Sequence, residues 1–270
     1  MAATGGGAPM YSGYGQPPKV RFEVIAEAWQ LFTQQMGTWI MAVVIMVGIM
    51  MVPIVVMMFA VILPIMAAAS GNHDAGAAMG IGMVLIMGVG MIVVAAVSIV
   101  LMAGMFRMAI KQVRGEPIQI SDLWSATDVF WNLLGGMFLV GLATAAGSML
   151  CYLPGLVVAG LFMLSIPLIV DQKLGPIEAM SRSWNLLKQD WLMAALLYLV
   201  LTCIMGLGGM VVVGILFTYP LFFLGIALVY RDFVLGAGVP APGAPYPYGV
   251  APGAYPPAPY PVEPPPSELR

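Results

Sequence analysis

The chain has 270 residues, of which 61% are hydrophobic and only 8% are charged, and its mean hydropathy is +0.98. Soluble domains are about 45 to 50% apolar, so this composition excludes an ordinary soluble protein and indicates one that faces lipid. The formal net charge of -2 gives no reason to expect a nucleic-acid partner.

The chain begins with a low-complexity arm and an amphipathic segment. Residues 1–18 contain Gly, Pro and Tyr without periodicity, which is typical of a disordered arm. The next segment places apolar side chains three and four residues apart, as on one face of a helix, at Phe22, Ile25, Trp29, Phe32 and Met36. Because Glu23 and Glu27 fall on the opposite face, we expect a helix that lies on the membrane surface.

Apolar stretches that are long enough to cross a bilayer follow. A core about 30 Å thick requires roughly 20 uncharged residues per helix. The predicted spans cover about residues 38–69, 77–106, 129–151, 155–170 and, for the fifth and sixth, 191–230.

Prolines and glycines mark the predicted kinks and turns of these spans. The first span is too long to stand perpendicular to the membrane, and Pro53 and Pro64 indicate where it kinks or ends. The sequence YLPG at 152–155 predicts a tight turn between spans three and four. The glycines between Gly206 and Gly214 predict the turn between spans five and six.

Two further amphipathic segments precede spans three and five. In GPIEAMSRSWNLLKQDW the apolar spacing of the first helix recurs, and the face consists of Ile177, Met180, Trp184, Leu187 and Trp191. Glu178, Arg182 and Lys188 take the other side. A weaker copy has Ile120, Leu123, Thr127, Phe130 and Leu134 as its face, with Ser121 and Asp122 as candidates for the helix cap.

These elements predict an all-α, polytopic membrane protein. Its six transmembrane helices form three hairpins, each preceded by an amphipathic interfacial helix, over residues 19–233. Residues 234–270 form a tail rich in Pro and Tyr, which we expect to be disordered or extended as polyproline II.

The basic residues predict the orientation of the chain. Six spans place nearly all of them on one side of the membrane: Lys19, Arg21, Arg107, Lys111, Arg114, Lys173, Arg182, Lys188 and Arg231. The opposite loops contain no Lys or Arg, and the only residues of theirs among His, Asp and Glu are His73 and Asp74. Since basic residues concentrate in cytoplasmic loops, we expect both termini to be cytoplasmic.

The stretch from Cys151 to Trp191 resembles a known group of proteins. An LPG turn, an apolar run with a proline, an aspartate before KLGPIEA, and Ser-Trp-x-Leu with a final tryptophan occur in that order. This order resembles a group of uncharacterised bacterial integral membrane proteins. The group includes YciC-like inner-membrane proteins and the membrane domain attached to some glycerophosphodiester phosphodiesterases. FRMAIKQVRGEPIQISDLW and EAWQLFTQQMGTWI extend the likeness to about residues 20–233.

The resemblance implies a six-helix domain in the bacterial cytoplasmic membrane. It supplies no agreed activity and no catalytic residue. For the residues that stand out in these motifs we expect interfacial or structural roles: Trp29, Pro154, Gly155, Asp171, Gly175, Pro176, Glu178, Arg182, Trp184 and Trp191.

The spans lack the groups that catalysis or cofactor binding requires. They contain no acidic or basic residue at mid-membrane, and the single histidine, His73, lies in a predicted loop. We therefore expect no enzyme activity, no cofactor and no metal site. Cys151 is placed near one membrane face and Cys203 nearer its middle, so we expect no disulfide. The 24 methionines would suit Cu(I), but no cluster of Met, Cys or His lies at either entrance of the spans, so we expect flexible packing instead.

Two functional hypotheses remain. The first is a non-catalytic scaffold or accessory subunit of a membrane assembly, whose partners are the lipid bilayer and proteins that bind the Pro/Tyr-rich tail. If the tail binds no protein, it only keeps the chain soluble. The alternative is a transporter or lipid-handling protein, with a cavity of Ser, Thr and Gly side chains between spans kinked at Pro167 and Pro220.

Overall fold

The structure, a computed structural model, describes residues 19–70, 73–150 and 152–235. The described part is helical throughout and contains no strand. Six of its helical stretches are long and apolar enough to cross a membrane, so the prediction of a six-span, all-α membrane protein is confirmed. The predicted arm over 1–18, most of the predicted tail and Cys151 lie outside the described residues.

The described residues form nine α-helices, which follow one another in sequence. They are α1 (Val24–Gln34), α2 (Met36–Ala69), α3 (His73–Val113), α4 (Phe130–Leu150), α5 (Tyr152–Leu161), α6 (Ser165–Gln172), α7 (Pro176–Leu187), α8 (Trp191–Gly209) and α9 (Val212–Tyr230). A 3₁₀ helix, Ile120–Val129, precedes α4, a shorter one, Lys188–Asp190, precedes α8, and a π-helical turn, Arg231–Leu235, ends the described chain. The three hairpins are α2 with α3, α4 with α5 and α6, and α8 with α9.

The connection between spans three and four differs from the prediction. Pro154 and Gly155 lie in the first turns of α5, so the tight turn predicted at 152–155 is wrong. A proline fits the start of a helix because its missing N–H has no partner there in any case. A Cβ atom on Gly147 of α4 would lie only 3.0 Å from the Cα atom of Gly155, so these glycines allow the two helices to touch.

The fourth span is interrupted, as its proline leads one to expect. Residues 162–164 separate α5 from α6, and Pro167 follows in the first turn of α6, where it cannot donate a backbone hydrogen bond. The hydroxyl of Ser183 in α7 donates to the carbonyl oxygen of Leu161 at 2.6 Å, which satisfies a buried acceptor beside the break. Pro220, in contrast, lies inside an uninterrupted α9.

The segment before span three is a 3₁₀ helix rather than the predicted α-helix. Its buried apolar residues are Leu123, Ala126 and Val129, which are three residues apart, as the three-residue turn of a 3₁₀ helix requires. Neither of the two cap candidates, Ser121 and Asp122, is the N-cap residue, which is Gln119. Asp122 lies at the third helical position, where its Oδ2 atom accepts a hydrogen bond from the backbone N–H of Gln119 at 2.9 Å, as in a capping box.

The first hairpin is longer than a bilayer requires. With 34 and 41 residues, α2 and α3 are about 51 and 61 Å long at 1.5 Å per residue. The helix α2 continues through both Pro53 and Pro64 to Ala69, so neither proline ends it. Apolar side chains remain exposed far along the hairpin, for example Ile65 and Ile92. The hairpin must therefore tilt or extend beyond the hydrocarbon core.

The predicted apolar faces of the amphipathic helices α1 and α7 turn only partly away from the protein, since each has one fully buried member, Phe32 in α1 and Leu187 in α7. In α7 the residues that pack on the bundle are Ala179, Ser183 and Leu187, whereas Ile177 and Trp184 are 76% and 45% exposed. The helix thus has three sides: a small-residue side on the bundle, an apolar side toward lipid and a charged side toward water. This arrangement is typical of a helix at the membrane interface.

Candidate functional site

The charged residues meet at one end of the bundle. We call this end, formed by residues 19–35, 107–132, 171–191 and 230–235, the charged end. Eight ion pairs between described residues lie in it: Arg21–Glu27, Arg21–Asp232, Arg107–Asp128, Lys111–Asp122, Arg114–Asp171, Lys173–Asp128, Arg231–Glu27 and Arg231–Asp232. These ion pairs hold the basic segments together at one end of the bundle.

The last turns of α3 and the residue that follows it supply a row of basic side chains. Arg107, Lys111 and Arg114 are three or four residues apart, so they project from one side of the chain. Each has a carboxylate partner on another element. Arg107 pairs with Asp128 at 3.1 Å and Lys111 pairs with Asp122 at 2.5 Å, both on the 3₁₀ helix before α4. This row fixes α3 to the element that leads into span three.

Asp171 is the centre of a polar network. Its two carboxylate oxygens accept hydrogen bonds from Nη2 of Arg114 at 2.6 and 2.5 Å, and Oδ2 also accepts one from the Tyr230 hydroxyl at 2.6 Å. Gln172 donates to the same hydroxyl at 3.1 Å and accepts from Nη1 of Arg182 at 2.5 Å. The network joins the end of α3 with α6, α7 and α9 into one unit.

Glu178 does not take part in this network. Glu178 and Arg182 are one turn apart on α7, and only Arg182 binds at the span ends, through Gln172 on α6. Glu178 is exposed.

The local sequence around KLGP positions Asp171. Lys173 ends α6 in the left-handed conformation, with φ of 54°, and its N–H bonds back to the carbonyl of Ile169. Gly175 is extended and Pro176 occupies the first position of α7, where its fixed φ suits a helix start. A Cβ atom on Gly135 of α4 would lie 2.9 Å from Pro176, so this corner is packed closely on span three.

A second cluster joins the two ends of the described chain. Arg21, before α1, bonds to Asp232 at 2.8 Å and to Glu27 at 2.6 Å, and Arg231 bonds to the same two carboxylates at 2.8 and 2.9 Å. Burial lowers the pKa of the Arg21 guanidinium, but the hydrogen bond and charge of Asp232, with the charge of Glu27, outweigh it and raise the pKa. We call these four residues the terminal clasp.

A buried amide connects the start of α2 to the end of α3. The indole N–H of Trp39 donates to Oε1 of Gln112 at 2.6 Å, and Nε2 of Gln112 donates to the carbonyl oxygen of Leu31 at 2.5 Å. Trp39 is fully buried and Gln112 nearly so. Sequence reasoning missed this contact; its only signal is a single amide among the apolar residues that end α3.

Replacing Trp39 with phenylalanine should lower the free energy of unfolding by about 2 kcal/mol, because it leaves the buried Oε1 atom of Gln112 without a donor. Denaturation of the purified protein in mixed detergent micelles measures the change. Trp131, which is 78% exposed, is the matched control, and its replacement with phenylalanine should have almost no effect. Equal effects of the two substitutions would contradict the role given to the buried hydrogen bond.

A pocket opens between the basic row of α3 and the end of α6. Its volume is about 170 Å³, and its lining consists of Arg107, Ile110, Lys111, Arg114, Glu116, Val170 and Asp171. The charged side chains of the lining suit a small polar ligand. Among the described residues no group of three His, Cys, Asp or Glu side chains is arranged to hold a metal ion, and Cys203 is a free, exposed thiol.

The predicted interfacial tryptophans belong to the charged end and do not take part in its ion-pair networks. Trp29, Trp184 and Trp191 are each about half exposed, at 48%, 45% and 48%. Tryptophan is enriched where hydrocarbon meets headgroups, so their positions are consistent with a membrane surface at this level.

Comparisons with known proteins return no match: no family model, no curated protein and no solved structure is similar to the chain. The resemblance to YciC-like proteins therefore remains a prediction from the sequence motifs.

Proposed function

We propose that this protein is a non-catalytic scaffold or accessory subunit of a membrane assembly. The observation that supports it is the mutual pairing at the charged end, where acidic and basic side chains bind one another across the bundle. Side chains held in this way give a surface of fixed shape. A surface of this kind favours docking of a partner over proton transfer, which needs a group free to change its charge.

The tail provides the test of this proposal. The full chain and a version ending at Val239 should be purified in mild detergent after cross-linking in cells, and the bound proteins identified by mass spectrometry. A scaffold that uses its Pro/Tyr-rich tail would lose a defined partner in the shorter version. If both versions retain the same partners, the tail is not the docking element, and if neither retains any, the scaffold proposal fails.

Lipid handling is the second candidate, and the pocket beside α3 favours it. That pocket is not the predicted one, since its lining lacks Ser, Thr and Gly. Where the predicted cavity would lie, Ser165 is fully buried, and Pro167 and Pro220 are buried as well. Transfer of labelled phospholipid between vesicles, with and without the reconstituted protein, tests this candidate directly.

We further propose that the charged end faces the cytoplasm of a bacterial cell. The concentration of basic residues at this end supports the orientation, and the resemblance to inner-membrane proteins supports the membrane. After Cys151 and Cys203 are replaced by alanine, Met210→Cys, in the turn between α8 and α9, should react with an impermeant maleimide on intact spheroplasts. Lys188→Cys should react only after the membrane is opened. The reverse pattern would contradict the orientation.

A further inference from the structure

The pocket beside α3 lies at the depth of phospholipid headgroups. Arg107 and Lys111 belong to the last turns of the second span, and Asp171 to the end of the fourth. The neighbouring 3₁₀ helix and α4 carry Trp124 and Trp131, both exposed. Tryptophan side chains of this kind mark the boundary between hydrocarbon and headgroups. The polar molecules most abundant at this depth are phospholipids.

The lining of the pocket contains charges of both signs. Arg107, Lys111 and Arg114 contribute three positive charges, and Asp171 and Glu116 two negative ones. The three cations favour the phosphodiester that phospholipid headgroups share. Basic pockets between membrane helices are known to hold phospholipid headgroups.

Glu116 adds a preference for a positively charged amine. Its side chain is exposed at the pocket, and among the described residues it forms no ion pair. Asp171, by comparison, already accepts hydrogen bonds from Arg114 and Tyr230. Glu116 is therefore the carboxylate of the lining that is available to an ammonium group of a ligand.

The size of the pocket is sufficient for such a ligand. Its volume of about 170 Å³ is similar to that of an engineered cavity of about 150 Å³ that binds benzene. A phosphate with a short amino alcohol is of comparable size.

We propose that this pocket binds the zwitterionic headgroup of an aminophospholipid, with the phosphodiester against Arg107, Lys111 and Arg114 and the ammonium group at Glu116. The inference stands on the pocket alone and does not depend on the scaffold function. It concerns binding only, and no bond of the lipid is made or broken.

Native mass spectrometry of the full chain in mild detergent tests the proposal. The protein is titrated with phosphatidylethanolamine or with phosphatidylglycerol of the same acyl chains, and bound lipid is counted. The expected result is tighter binding of phosphatidylethanolamine. Soluble phosphoethanolamine is then added as a competitor. If phosphoethanolamine displaces the lipid only weakly, the ligand is the headgroup of a membrane lipid. If it displaces the lipid at equal concentration, the pocket recognises the same headgroup chemistry in a soluble molecule.

Variants separate the two halves of the headgroup. The double substitution Lys111→Gln with Asp122→Asn removes a cation without leaving its carboxylate unpaired, and should weaken binding of both lipids by about tenfold. Glu116→Gln should abolish the preference for phosphatidylethanolamine and leave the affinity for phosphatidylglycerol unchanged. Lys188→Gln, an exposed charge at the same end but outside the pocket, should change neither.

Melting curves in detergent show whether each variant folds. If the double variant does not fold, Glu116→Gln alone tests the proposed headgroup binding, since Glu116 is exposed. Equal binding of the two lipids by the unaltered protein would overturn the proposal. A Glu116→Gln variant that keeps the preference, or a Lys188→Gln variant that binds as weakly as the double variant, would overturn it as well.

Discussion

Asp171→Asn is expected to lower the free energy of unfolding by about 2 to 3 kcal/mol. The substitution removes the charge that holds the Arg114 guanidinium and weakens the acceptor of the Tyr230 hydroxyl. Breaking one side of a fully buried ion pair costs about 3 to 5 kcal/mol. The expected loss is smaller because the Arg114 side chain is 21% exposed and water partly replaces its partner. Unfolding by SDS titration in mixed micelles measures the change.

Asp128→Asn is the matched control for this prediction. Asp128 also accepts from basic side chains, Arg107 and Lys173, but it is 38% exposed and Lys173 is 66% exposed. Exposed ion pairs contribute about 0 to 1 kcal/mol, so a small loss is expected. Equal losses from the two substitutions would show that Asp171 is not the centre of the network. In the double variant of Asp171→Asn with Arg114→Met, the loss of unfolding free energy should differ from the sum of the two single losses, because Arg114 and Asp171 interact directly.

Gly104→Ala should also destabilise the bundle, by about 3 kcal/mol, the upper part of the range for overpacking of a core. A Cβ atom on Gly104 would clash with the backbone carbonyl oxygen of Leu123 and lie 2.6 Å from the carbonyl carbon and Cα atoms of the same residue. Backbone atoms cannot rotate away as a side chain does. The methyl group must therefore separate α3 from the 3₁₀ helix, and with it the Lys111–Asp122 ion pair.

Gly88→Ala, in the same helix, provides the comparison. No atom lies within 4 Å of a Cβ built at Gly88, and alanine is about 1 kcal/mol better than glycine inside a helix. This substitution should leave the protein unchanged or slightly more stable by the same SDS titration. If Gly104→Ala behaves like Gly88→Ala, the close approach of α3 and the 3₁₀ helix is not as described.

The helical architecture follows from local features of the sequence. Length and apolarity are enough to place six spans, and the glycines after Gly206 are enough to place the turn between α8 and α9. The same reasoning fails at Pro154, because LPG is compatible with a turn or with the first turn of a helix. The near contact of Gly147 and Gly155 decides between them, and it depends on a neighbouring helix.

Local sequence features do not predict which side chains pair with one another at the charged end. Asp171 and Arg182 stand out in a motif, yet the residues that bind Asp171, namely Arg114 and Tyr230, lie 57 and 59 positions away. Pairing at such separations is set by how the hairpins pack. The periodicity of α7 also indicates which residues are apolar, but not that Ile177 and Trp184 face lipid while Ala179 faces the bundle.

The terminal clasp has a consequence for the two low-complexity segments of the chain. Arg21 follows the end of the Gly/Tyr/Pro-rich arm by a few residues, and Asp232 precedes the Pro/Tyr-rich tail by a few, yet their side chains are 2.8 Å apart. Both segments are thus tethered at nearly one point of the membrane surface. A partner that recognises Tyr and Pro would meet them as a bivalent ligand, in which binding of one raises the effective concentration of the other to the millimolar range.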